Sequence, residues 1–239
     1  MISKALILLI LFTNLLFIKA QDFEVSPVEL KFTAEPGQTQ SIPITITNHA
    51  NKNSAFSVIL ADFVINKEGE KIVLPSASSE HSLVNWLSIN PPFLELAPNE
   101  TRQIIVNLQA PVGDYSTRWA HIFIRSTNEQ TALIADKSVQ TGISLSSQIA
   151  LIAYQSPKSN VNFKMKITGL SESTNLNDTL RRFKAKLDNI GDKITDCKVS
   201  LLASNLATAD EKLLQTLKFV SFPDTQKEVY FEFNKDALP

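Results

Sequence analysis

Ile143-Ser-Leu-Ser-Ser-Gln-Ile-Ala-Leu-Ile-Ala-Tyr154 alternates with a period of two, the pattern of a β-strand. One face carries Ile143, Leu145, Ser147, Ile149, Leu151 and Ala153, and the other carries Ser144, Ser146, Gln148, Ala150, Ile152 and Tyr154. The first half thus has one apolar and one polar face, whereas the second half is apolar on both. A strand of this kind starts near a sheet edge and ends inside the fold or against a second domain.

The same period runs outward from this segment in both directions. From Phe23 on, short alternating runs are separated by turn chemistry, with almost no 3.6-residue periodicity. Val25, Val28, Leu30 and Phe32 lead into the turn Glu35-Pro-Gly-Gln38, after which Ile42, Ile44 and Ile46 alternate with polar residues. Pro43 has no amide hydrogen for a ladder, so it belongs at a sheet edge or a bulge. Asn66-Lys-Glu-Gly69 reads as the hairpin into Lys71-Ile-Val-Leu74. Trp119, His121, Phe123 and Arg125 share one face of a later strand, with Ala120, Ile122 and Ile124 on the other. Turns roughly every ten residues between such strands predict an all-β chain of two immunoglobulin-like β-sandwich domains in tandem. Gln155-Ser-Pro-Lys158 reads as the hinge. Beyond it, runs at 161–167, 183–187, 194–202, 213–220 and 229–233 supply about five strands, fewer than the roughly seven of a full sandwich. The second domain is therefore expected either to be truncated or to take its last strand from elsewhere.

Met1 to Lys4 carries one positive charge, Ala5 to Ile18 is almost unbroken apolar sequence, and Lys19-Ala20 opens into Gln21-Asp22. That is the order of a secretory signal peptide, too short in its apolar part for the roughly 20 residues of a permanent span. Cleavage after Ala20 is the expectation, and an uncleaved anchor the alternative. The resulting division is 1–20 signal peptide, 21–155 first sandwich and 156–239 second sandwich.

Composition excludes much chemistry. The chain has 239 residues, with Gly 6, Cys 1 and His 3. The glycines are too widely spaced for a dinucleotide or Walker A loop, and one Cys excludes CxxC sites and internal disulfides. His49, His81 and His121 are too far apart in sequence for a local His-pair metal motif. A formal net charge of −1 gives no footprint for nucleic acid. Cys197 reads as a small buried hydrophobe. No cofactor, metal or small-molecule substrate is implied, and a non-enzymatic protein is expected. A hydrolase assembled from distant residues such as His121 has no local nucleophile and base to support it.

The order of parts resembles the periplasmic pilus-assembly chaperones and their wider two-domain superfamily. The residues that carry the likeness are Ser26-Pro-Val-Glu-Leu-Lys-Phe32, Ile42 to Asn48, Pro91-Pro-Phe-Leu-Glu-Leu-Ala-Pro98 and Gln148 to Pro157. Tyr115-Ser-Thr-Arg-Trp-Ala-His-Ile-Phe123 and Tyr154-Gln-Ser-Pro-Lys158 are similar to a branch found in Bacteroidetes-type bacteria. The resemblance implies that the last strand of the first domain is lent to an exported, incomplete β-rich subunit by strand addition. On this sequence the matching alternate positions are Ile143, Leu145, Ile149 and Leu151. The family also holds the subunit's terminal carboxylate with two basic residues; Lys31 matches the first within a residue or so. The second has no counterpart, because no Lys or Arg lies between Ser138 and Gln155. The implied protein is an exported, periplasmic chaperone; a structural or adhesive module of the cell envelope is the alternative.

Overall fold

A computed structural model describes residues 22–127, 146–175 and 178–234. In chain order the first ten strands are β1 (Phe23–Ser26), β2 (Glu29–Phe32), β3 (Thr39–Asn48), β4 (Ser54–Ile65), β5 (Lys71–Leu74), β6 (Leu87–Asn90), β7 (Phe93–Leu96), β8 (Thr101–Gln109), β9 (Arg118–Thr127) and β10 (Gln148–Gln155). A 3-10 turn at Val84–Trp86 lies between β5 and β6. They form two sheets, one ordered β1-β3-β8-β6 and the other β2-β10-β9-β4-β5, with β7 also paired to β4. Both are antiparallel except where β2 runs parallel to β10. Residues 39–44 of β3 pair with β8 alone, because β1 reaches only residues 45–48, and this is the open side on which Pro43 falls.

Alternation turns one face of each sheet inward. Ile44, Ile46, Ile104, Val106 and Leu108 from the first sheet meet Phe56, Ile122, Ile124, Leu151 and Ala153 from the second in one continuous cluster. Each of these side chains but the small Ala153 contributes about 1.5–3 kcal/mol on leaving water. The Glu35–Gln38 turn closes with Gln38 N–H donating to Glu35 O at 2.9 Å, and Gly37 takes the φ of +84° that its position requires. At the end of β3, buried Asn48 acts as a clasp. Its Nδ2 lies within hydrogen-bond distance of the carbonyls of Lys52, Leu96 and Ala97, and its Oδ1 accepts from Ala50 N–H.

The described residues of the second sandwich form β11 (Met165–Glu172), β12 (Leu180–Asn189), β13 (Thr195–Ser204), β14 (Glu211–Ser221) and β15 (Gln226–Asn234). A three-stranded sheet, β11-β12-β15, faces the β13-β14 hairpin. Ala185, Leu187, Val229 and Phe231 are its buried core, and Phe183, Val199, Leu201, Leu217 and Phe219 pack on it while still half-exposed. Asn189 repeats the clasp of Asn48 at the end of β12: its Nδ2 donates to Lys193 O and Ser221 O, and Oδ1 accepts from Gly191 N–H.

The first strand of this half starts four residues later than its apolar pattern predicts. Residues 162–164 instead lie against Gly191, whose N–H donates to Lys164 O, while Asp192 N–H donates to Asn162 O. A Cβ at Gly191 would sit 2.3 Å from Asn162 O and 2.6 Å from Lys164 N, so only glycine admits this approach. Cys197 is half-buried, and burial pushes its thiol above the ordinary range, which disfavours the reactive thiolate.

Candidate functional site

β10 pairs with β9 along its whole length, from Gln148 opposite Arg125 to Gln155 opposite Arg118. Its other side is only half covered. β2 takes residues 152–155, and Ile152 N–H donates to Val28 O at 3.0 Å. Among the described residues nothing pairs with that side at 146–151. The amino-acid pattern set this boundary: outward Ser146 and Gln148 are polar and exposed, whereas Ile152 and Tyr154 are apolar and half-buried.

One alternation sorts the whole strand. Ser147 O accepts from Ser126 N–H on the β9 side, and Ile152 N–H points the other way, so backbone groups of odd residues serve β9 and those of even residues face the open side. Side chains follow the same parity. Leu151 and Ala153 lie in the core, Ile149 is half-buried against it, and even residues form the outer face. The expectation that Leu151 fills a partner's pocket is therefore corrected: it is 0% exposed, because the apolar face of β10 is needed to close its own sandwich. Ile149 belongs to the same inward face. Ile143 and Leu145 lie outside the described residues. What β10 leaves available is the backbone of Gln148 and Ala150.

Lys31 stands on the outer face of β2, opposite Tyr154. Its Nζ is 3.2 Å from Glu29 Oε2 and 5.6 Å from the centre of the Tyr154 ring, and Tyr154 Oη donates to Glu29 Oε1 at 3.0 Å. The hydrogen bonds to Tyr154 and then Glu29 hold the ammonium above the usual lysine range. This cation is already neutralised by a neighbouring carboxylate. Glu29 lies two residues before Lys31 on the same face of β2, a local pairing the sequence reading passed over, whereas Tyr154 is brought to Lys31 by a parallel pairing that spans more than 120 residues.

At the foot of β10, buried Gln155 forms a two-way amide clamp, donating Nε2–H to Ala34 O and accepting from Ala34 N–H. The outer face then runs into the junction with the second sandwich. There Phe63, Trp119 and Phe222 are buried together, with Ile65, Ile152, Tyr154 and Ile194 around them. Trp119 Nε1–H donates to Phe63 O at 2.9 Å. Polar ties flank this cluster. Asp192 accepts from Thr117 N–H and from Asn160 Nδ2–H, and Lys193 Nζ donates to Ser156 Oγ and Pro157 O, both at 2.7 Å. Burial pulls the Lys193 amine below its ordinary range.

His121 packs between the rings of Phe63 and Phe123, at 4.3 and 5.2 Å, and its Nδ1–H donates to Leu151 O. Burial lowers its pKa, so it is a neutral core residue. Among the described residues no group of three His, Cys, Asp or Glu side chains could hold a metal ion, and no helix is long and apolar enough to cross a membrane.

No protein-family model matches the chain, and no curated protein matches it. Solved structures do. One is a chain of a chaperone–tip adhesin complex of CFA/I fimbriae biogenesis, 10% identical, with a TM-score of 0.51 over 89% of this chain and 85% of that one. Another is the class 5 fimbriae chaperone CfaA, 11% identical, with a TM-score of 0.51 over 85% of this chain and 83% of that one. At such identities the likeness speaks to architecture: two tandem sandwiches, matched over most of both chains. The chain shares the fold of these fimbrial chaperone structures.

Proposed function

We propose that this is a non-enzymatic, exported chaperone-like protein that binds β-rich subunits of surface structures by strand addition, in the periplasm. The observation that carries the reading is the side of β10 at residues 146–151 that no described strand pairs, a row of backbone donors and acceptors beside the end of β2. The fold it shares with fimbrial chaperones supports the partner class. In this reading the first domain ends at Gln155 and the second begins at Ser156, so the open edge lies just before the hinge. Ile143 and Leu145 would extend the added ladder, with Lys31 at its far end; because Lys31 is paired to Glu29, the ladder rather than a charge sets affinity.

The test is Ala150→Pro. Its N–H points to the open side, so proline there removes a donor offered to a partner and none given to β9. The tagged variant is expected to fold, with less than about 1 kcal/mol lost, and to fail to co-purify the β-rich chain that the parent brings down from the exporting compartment. Unchanged capture by the variant would overturn strand addition at this edge and favour an adhesive or structural module.

A further inference from the structure

The β4–β5 hairpin of the first sandwich and the corner between β14 and β15 of the second enclose a cavity of about 240 Å³. Ile65, Phe219 and Phe222 make part of its wall apolar, and Lys71, Ser221 and Lys227 supply donors. Among the described residues no acidic side chain lines it, and neither lysine forms an ion pair. Lys71 comes from the hairpin, opposite Ile65, and its charge is felt at His121. Lys227 comes from β15. Its Nζ stands over the Phe219 ring, 4.7 Å from the centre, and 3.3 Å from the place a Cβ on Gly69 would take at the hairpin tip. The ammonium is thus held where the two sandwiches meet. Ser221 is only 4% exposed, yet its hydroxyl makes no hydrogen bond among the described residues and is not sealed off, so it opens on the cavity. A buried hydroxyl is ordinarily satisfied, and this one has its donor free.

We infer that this cavity binds a small organic oxyanion, a phosphate or carboxylate head on one apolar group. The head is held by Lys71, Lys227 and the Ser221 hydroxyl through charge-assisted hydrogen bonds, and the apolar group lies against Ile65 and Phe222. Like charges brought to one cleft repel each other until an anion stands between them. The nearby carboxylates are engaged elsewhere. Glu70 accepts from Asn66 Nδ2–H, Asp188 accepts from Gln226 Nε2–H and Thr168 Oγ1–H, and Glu68 acts on Tyr230. The volume lies under the roughly 300 Å³ at which drug-sized pockets begin, which favours a single ring or short chain over a nucleotide. Because the donors come from both sandwiches, the bound anion also ties the hairpin to the second domain.

The test titrates the full chain with phenyl phosphate, benzoate, inorganic phosphate and phenol at constant ionic strength, following backbone amide signals by NMR. Saturable shifts are expected at Gly69, Ser221 and Lys227 with an aromatic anion, and the tighter of the two names the head group. Inorganic phosphate is expected to bind at least about threefold more weakly, for want of the apolar contact, and phenol not to bind. Lys71→Gln and Lys227→Gln each weaken the tighter anion about threefold to tenfold, and Ser221→Ala about twofold to fivefold. Lys52→Gln, outside the cavity, leaves binding unchanged, and a variant spectrum otherwise like the parent's shows that the fold is kept. Shifts that do not saturate or that spread over lysines outside the cavity would overturn the proposal. So would an unchanged Kd in both lysine variants, or phenol or inorganic phosphate binding as tightly as the aromatic anions.

Discussion

The two sandwiches are built from the same alternating pattern and closed by the same asparagine clasp, yet they differ in how much they bury. Among the described residues, twenty buried apolar side chains form one cluster in the first, whereas four form that of the second, surrounded by half-exposed neighbours. The sequence shows why. Strand Leu180–Asn189 carries Arg181, Arg182, Lys184 and Lys186 within ten residues, and a hairpin covers a three-stranded sheet, so little apolar surface can be fully enclosed. The first sandwich is a rigid platform; the second is a lighter body held to it by the junction around Trp119.

Core truncation tests this contrast most strongly. Phe56→Ala is expected to cost about 3–5 kcal/mol and Phe231→Ala nearer 2–3, because partly exposed neighbours let the smaller core collapse around the gap. Equal losses, from urea midpoints of the separate transitions, would break the comparison. Gly191→Ala comes next, at about 2–3 kcal/mol, since backbone atoms of Asn162 and Lys164 occupy the place of the new methyl group. Its effect is expected in the transition of the second sandwich alone.

The clasps give a matched pair. Asn48→Ala orphans Ala50 N–H and the carbonyls that Nδ2 serves, at about 2–3 kcal/mol; Asn189→Ala, with two carbonyls, is expected to cost about 1–2. The smallest effect is titration of His121. Burial holds its folded pKa below the unfolded value, so the unfolded chain takes up the proton first and stability falls as pH drops through 6.5. A lower urea midpoint at pH 5 than at pH 7, absent in His121→Phe, is expected.

Most of this architecture is legible in the chain. Period-two runs place Ile42, Ile44 and Ile46 on one strand and Trp119 to Arg125 on another, and Pro-Gly and Asn-Lys-Glu-Gly mark their turns. The candidate site is legible only as far as its strand. Alternation says that Leu151 and Ile149 share a face, but which face a sandwich keeps for itself depends on what packs across it, and that is long-range information. Lys31 likewise has its meaning changed by Glu29, two residues before it on the same strand face, and by Tyr154, brought beside it by a parallel pairing that no local pattern announces. The start of β11 was displaced for a similar reason, by an approach to Gly191 some thirty residues away.

The parity of β10 carries a consequence for how such a chain can drift over generations. Odd positions answer to the protein's own interior and are held to a fixed volume. Even positions meet whatever lies alongside and are free to change with it. Substitutions at Ser146, Gln148 and Ala150 are therefore expected to leave the fold untouched, whereas a change of volume at Ile149 or Leu151, one residue away, is felt across the whole core.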